Sequence, residues 1–263
     1  MIPKYLYQYT DIEALKKILQ SKKILFNRLD LLNDPFEGLV MLEKEHKISG
    51  ISKMIYCSCW TANPTESISM WGIYKNFRGV RIKVKSNLFS EKLSLKETDS
   101  GFLPVGDIST IQLKDQYSSS GKQIEIHKVY GPIKIEYVSS VDETYSNAVK
   151  GYAETILKIP EGHKDIKIME LGNRKVDYWK YEDEWRFKIS AYSDVIAQPQ
   201  ILASFFDMSL AEAAILVPFK HPIIEIMTGP CMGETEYEDI KTFLQENNMH
   251  VELVRSKIKM QKM

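Results

Sequence analysis

The cleanest alternation in the chain runs over residues 80–85, where Val80, Ile82 and Val84 take one side and Arg81, Lys83 and Lys85 the other. A period of two marks a strand with one buried face, so the three basic side chains are expected outward. Helical spacing appears over residues 11–20, where Ile12, Leu15, Ile18 and Leu19 share one face. Thr10 and Glu13 give that helix a capping-box start. Tyr5 to Tyr9 reads as a strand before it, and Lys23 to Phe26 as a strand after it. Asn33, Asp34 and Pro35 carry turn chemistry, and residues 36–47 are expected to be helical.

The apolar run 54–60 predicts another strand. Asn63, Pro64 and Glu66 predict a helix start, with Asn63 as the cap and Pro64 at the first helical position. That helix carries Ile68, Trp71 and Tyr74 on neighbouring turns and ends before Gly79. Two strands, near 123–129 and 132–138, are expected to flank a turn at Gly131 and Pro132. A helix over 142–157 and a strand over 183–190 follow. Strands at 213–217, 223–227 and 249–255 then surround a helix at 235–247. Residues 98–122, with Ser118, Ser119, Ser120 and Gly121, have the least pattern and read as a mobile insertion. Strands and helices mix without a βαβ rhythm. The expected class is α+β, with mixed, mainly antiparallel sheets and peripheral helices.

The 263 residues allow one large domain or two small ones, and no repeat or linker divides them, so a single domain over 1–263 is expected. Thirty-five basic side chains balance 35 acidic ones. A neutral chain has no overall field to gather nucleic acid or anionic lipid. The three cysteines include no C-x-x-C pair, so neither a disulfide framework nor a zinc site is supported. The start lacks the basic and apolar regions of a signal peptide, and no apolar run is long enough to span a membrane. A reducing, cytoplasmic setting is the expectation.

Chemistry concentrates in Tyr181-Glu182-Asp183-Glu184-Trp185-Arg186-Phe187-Lys188. Strand alternation places Glu182, Glu184, Arg186 and Lys188 on one face, against Tyr181, Trp185, Phe187 and Ile189 on the other. A carboxylate beside an arginine stays ionised, and can accept a sugar hydroxyl or steady a cationic transition state. The bland alternative is a solvated face of weak ion pairs. Asn33, Asp34, Phe36 and Glu37 offer a second candidate, as one wall of a pocket or simply as a turn. Trp60, Trp71 and Tyr74 offer a third, as stacking platforms for a planar ring or as core. Cys57 and Cys59 read as buried, inert thiols. The five histidines have no ligand spacing, and no P-loop, dinucleotide fingerprint or serine elbow is present, so no metal is expected.

These residues resemble a bacterial family known as domain of unknown function 2971. The resemblance covers Tyr5 to Thr10, Phe26 to Glu37, Cys57 to Trp60, Met70 to Tyr74, Arg78 to Val80, Trp179 to Arg186 and a late strand ending at Gly229. The opening is also similar to ADP-ribosyltransferase folds. That second resemblance implies a first-strand ribose anchor near Tyr7 or Gln8, a second-strand position near Ser58, and a late-strand carboxylate at Glu184. It implies NAD as substrate, cleaved at the nicotinamide ribose through an oxocarbenium-like state. On this reading Glu184 is catalytic and Glu182 and Arg186 orient it. Tyr7, Tyr9, Ser58, Trp60, Trp71 and Tyr74 line the pocket, and Asn33, Asp34 and Phe36 form its rim. ADP-ribosyl transfer or NAD cleavage is the expected activity, in a toxin-like or phage-defence role, with the acceptor macromolecule unspecified. The rivals are a nuclease using Asp34, Glu182, Glu184 and Lys188 around a divalent metal, and a non-catalytic module holding a nucleotide or peptide.

Overall fold

The structure, a computed structural model, describes residues 2–37, 40–41, 47–48, 51–74, 76–89, 95–96, 103–104, 124–141, 171–193 and 213–260. Within them the chain runs β1 (Tyr5–Thr10), α1 (Ile12–Ser21), β2 (Lys23–Arg28), β3 (Val40–Met41), β4 (Lys47–Ile48), β5 (Ile55–Thr61) and α2 (Ile68–Ile73). It continues through β6 (Val80–Lys85), β7 (Leu95–Lys96), β8 (Leu103–Pro104), β9 (Ile124–Lys134), β10 (Glu136–Val138) and β11 (Arg174–Val176). The last elements are a 3-10 turn (Asp177–Glu182), β12 (Glu184–Ser193), β13 (Ala214–Pro218), β14 (Glu225–Thr228), α3 (Glu234–Glu246) and β15 (Glu252–Arg255).

One nine-stranded sheet organises the described residues, in the order β13-β2-β5-β1-β6-β14-β15, with β12 alongside β5 and β9 alongside β12. All its pairs are antiparallel except β14 with β15. The α+β class with a mixed, mainly antiparallel sheet is therefore as expected. No helix among the described residues is long and apolar enough to cross a membrane.

The sheet forks at β5. One edge of β5 pairs with β12 from Ile55↔Ser190 to Thr61↔Glu184. The other edge is shared: β2 meets it at Tyr56 and Cys57, and β1 meets it at Thr61. Between them Gln8 bridges the gap, its Nε2 donating to the Cys59 carbonyl at 3.0 Å. The side-chain amide thus satisfies a β5 carbonyl between the points where β2 and β1 meet the strand.

Register assigns the two faces. Leu6, Ile24, Phe26, Tyr56, Trp60, Val80, Ile82, Val84, Trp185, Phe187 and Ile189 build one apolar core with Leu15, Ile18 and Leu19 of α1 and Ile240 and Leu244 of α3. Both long helices therefore cover the same side of the sheet. The opposite face carries a smaller cluster of Tyr9, Trp71 and Met227, with Tyr74 and Phe77 beside it. It also carries Cys59, Thr61, Glu184 and Arg186, paired across β5 and β12.

Several boundaries differ from expectation for local reasons. Asp11, not Thr10, caps α1: its Oδ1 accepts the Ala14 amide at 2.7 Å, while Thr10 stays in the ladder opposite Val80. α2 begins after Ser67, whose hydroxyl accepts the Met70 amide at 3.3 Å. Asn63 instead closes a turn by accepting the Thr65 amide at 3.0 Å, and the Pro64 carbonyl is held by Arg81 at 3.2 Å. Residues 63–66 are thereby pinned outside the helix. Gly131 and Pro132, joined by a cis peptide, do not separate two strands but lie inside β9, where its register with β12 shifts between Arg186 and Lys188. Arg81 is not outward: it is buried, its guanidinium 4.7 Å above the Tyr7 ring and 5.8 Å from that of Tyr9. In the stretch 36–47, Phe36 and Glu37 end a turn, while Val40–Met41 and Lys47–Ile48 pair as antiparallel strands. The expected helix at 142–157 and most of the insertion at 98–122 lie outside the described residues.

Candidate functional site

The face of β12 opposite the core is charged and yet closed to solvent. Glu184 is 3% exposed, and Arg186 and Lys188 are fully buried. A buried charge needs partners, and three neighbouring segments supply them. β11 contributes Lys175, the turn after β2 contributes Glu37, and the 3-10 turn ahead of β12 contributes Glu182. Residues 171–173 add the backbone carbonyls of Gly172 and Leu171 and the Asn173 side chain.

Glu182 reaches this group by a different route from the one strand alternation predicts. It ends the 3-10 turn, and Asp183 follows in the left-handed region at φ 41°. That reversal, not an extended strand, turns the Glu182 carboxylate toward the same side as Glu184. Tyr181, expected in the anchoring face, is instead 40% exposed. Trp185, Phe187 and Ile189 do anchor the strand in the core.

Lys175 is the hub. Its ammonium lies 2.7 Å from Glu182 Oε2, 3.0 Å from Glu184 Oε2 and 3.1 Å from Glu37 Oε1. Its ammonium also lies 4.8 Å from the Trp179 ring centroid. Arg186 forms the second junction. Its Nε and Nη2 donate to the two oxygens of Glu184 at 2.5 and 2.9 Å, and Nη1 donates to the Gly172 carbonyl at 2.7 Å. Arg186 also pairs with Glu37. Lys188 turns away from the carboxylates to the Leu171 carbonyl, at 2.7 Å, and to Asn173.

Proton affinities follow from this wiring. Burial alone would raise the Glu184 pKa, but Arg186 and Lys175 overcome it and hold the carboxyl well below the usual range. Glu182 moves the other way. Burial, with the neighbouring Glu184 charge, outweighs the attraction of Lys175 and pushes its pKa up. Burial would lower the Lys175 pKa, yet Glu184 and Glu37 raise it. Burial lowers that of Lys188 to about 8. The Cys57 thiol is pushed up to about 11 by burial, and Cys59 is raised as well, so neither is a ready thiolate.

At the outer edge of the group stand Tyr74 and Tyr137. The Tyr137 hydroxyl accepts the Glu184 amide at 2.9 Å. Burial lifts the Tyr74 hydroxyl to about 12, with Cys59, Glu182 and Glu184 adding to the effect. Glu182, at 9% exposed, is more accessible than Glu37, Lys175, Glu184, Arg186 and Lys188. The buried Trp179 indole N–H has no hydrogen-bond acceptor among the described residues.

The expected site residues divide. Glu182, Glu184 and Arg186 come together, and Asp34 and Tyr74 lie close enough to feel the same charges. Ser58 and Trp60 do not join them. Both face the apolar core, where Trp60 Nε1 donates to Ser58 Oγ at 3.0 Å. Trp71 is fully buried and donates to Glu66 at 3.0 Å, so Trp60, Trp71 and Tyr74 form no common platform. Tyr7 lies under Arg81, and the Tyr9 hydroxyl accepts the Ser67 amide at 3.1 Å, so both are engaged in packing. Asn33 is exposed and Phe36 half-buried on the turn whose buried members are Asp34 and Glu37.

Of the residues named for a nuclease, Glu182 and Glu184 come together and Lys188 does not join them. Glu37, Glu182 and Glu184 already share a cation, the Lys175 ammonium, and Lys188 is directed elsewhere. Among the described residues no group of His, Cys, Asp or Glu has metal-holding geometry. Lys175 and Tyr137 were the partners the sequence left unmarked. The one usable signal was two cations at alternate positions beside buried-type aromatics, which demand counter-charges from elsewhere. No family model, curated protein or solved structure matches the chain.

Proposed function

We propose that this chain cleaves or transfers at the glycosidic bond of a nucleotide such as NAD, with Glu182 and Glu184 as a divided carboxylate pair. The observation that carries the reading is their meeting on one ammonium, at 2.7 and 3.0 Å, with proton affinities displaced in opposite directions. Pairs of carboxyls held apart in this way mark acid–base and glycosyl-transfer centres.

The roles expected for the two residues exchange. Glu184 has its oxygens taken by Arg186 and Lys175, so it sets the negative field and fixes the hub. Glu182 has one oxygen on Lys175 and is the more exposed, so it meets the substrate. When the bond from ribose to nicotinamide breaks, the electron pair leaves with the neutral ring and the sugar becomes cationic. Glu182 accepts a ribose hydroxyl and the local negative charge steadies that cation. Tyr74, Trp179 and exposed Tyr181 offer aromatic surface at the edge.

Incubation with NAD labelled in its nicotinamide tests the reading. Release of labelled nicotinamide is expected, and Glu182→Gln should slow it about a hundredfold or more with the fold intact. No release with any acceptor tried sinks it. A second reading, a binding module built on a structural ion network, draws on the saturation of Glu184 by its neighbours. It expects nucleotide binding without release, unaffected by Glu182→Gln.

A further inference from the structure

Asp34 is the odd member of the buried group. It is 2% exposed, and its Oδ1 accepts the Phe36 amide at 2.9 Å. Its Oδ2 is buried without a hydrogen-bond partner among the described residues. Its backbone carbonyl accepts the Glu37 amide at 3.1 Å, which closes the turn. The charged groups acting on it are Glu37 of the same turn, Lys175 of β11 and Arg186 of β12.

Charge counting explains the orphan oxygen. Glu37 and Glu184 give two negative charges, and Lys175 and Arg186 give two positive ones, linked by the contacts described above. That quartet is neutral without Asp34, and Glu182 on the same ammonium adds a further carboxyl. An ionised Asp34 would add an unpaired charge in a dry place, which costs far more than a neutral hydroxyl there. Burial indeed pushes its pKa up; the Phe36 amide opposes this, Glu37 reinforces it, and Lys175 and Arg186 offset part of it.

We propose that the Asp34-Pro35-Phe36-Glu37 turn is a proton-held latch, closed over the Glu37–Lys175–Arg186–Glu184 quartet while Asp34 keeps its proton and loosened as Asp34 ionises. The sign follows from linkage. The closed turn binds the proton more tightly than the open one, so closure is favoured at low pH and weakens as pH rises. The weakening begins near the ordinary aspartate value of about 3.9 and amounts to about tenfold per pH unit, levelling off above the closed-state midpoint. Opening removes Glu37 from Lys175 and Arg186, and so exposes the charged face of β12 and changes the field around Glu182. The latch is independent of the glycosidic reading: it requires only the buried quartet.

Amide hydrogen exchange at Phe36 and Glu37 reads the latch directly, after correction for the intrinsic pH dependence of exchange. Protection of both amides should fall with rising pH in the wild type. In Asp34→Asn, whose amide supplies a neutral donor in place of the acid O–H, protection should stay level. Carboxyl carbon NMR of the wild type gives a second measurement that needs no variant: the Asp34 resonance should titrate above the ordinary aspartate range. A midpoint at or below that range, or the same protection profile in Asp34→Asn as in the wild type, overturns the latch.

Discussion

Arg186 and Glu184, two residues apart on β12, form a closed fork in which Nε and Nη2 of the guanidinium meet both oxygens of the carboxylate at 2.5 and 2.9 Å. The third arm of Arg186 reaches the Gly172 carbonyl at 2.7 Å, so one side chain ties β12 to the segment lying across it. Arg186→Met strips Glu184 and Glu37 of that partner in a buried setting. A loss of about 3–5 kcal/mol in unfolding free energy is expected by denaturant titration. Arg186→Lys keeps the charge but not the planar fork, and should lose less.

Acid should attack the same fork. The Glu184 pKa is lowered in the folded chain, so the stability it contributes is fully present above the ordinary glutamate value of about 4.3. That stability drains as pH falls from there toward the folded value. Glu184→Gln should start less stable at neutral pH and show a shallower decline on acidification. Melting temperature measured from pH 6 down to pH 2.5 in both proteins checks the difference in slope.

Gly172 adopts φ +68°, and a Cβ there would stand 2.6 Å from Leu29 Cδ1 and 3.2 Å from Arg186 Nη1. Gly172→Ala therefore combines left-handed strain with a clash and a push against the guanidinium. A loss of about 1–3 kcal/mol is expected, read as a lowered melting temperature.

The sequence made the strands legible because their apolar alternation survives in the fold: Val80, Ile82 and Val84, and Trp185, Phe187 and Ile189, all face one core. It misplaced Arg81 because alternation assigns a face but not its accessibility, and the face opposite the core is covered at Arg81. The same limit applies to Glu184, Arg186 and Lys188, whose shared face was readable and whose burial was not. Glu182 joined them through a 3-10 turn and a left-handed Asp183, which period-two reasoning has no means to express. Lys175, and its pairing with the candidate Glu37, were beyond reach, since their meeting depends on segments far apart in the chain converging over β12. Trp60 was misjoined to Trp71 because the register that sends them to opposite sides of the sheet is a tertiary fact.

Site-resolved carboxyl NMR titration of Glu182 and Glu184 tests the division of labour most directly. Glu182 should take up its proton above the ordinary glutamate range while Glu184 stays ionised well below it. Lys175→Met should raise both, and Glu182 the more, because Glu184 keeps Arg186 as its counter-charge. Two carboxyls titrating together at ordinary values in the wild type would contradict the account.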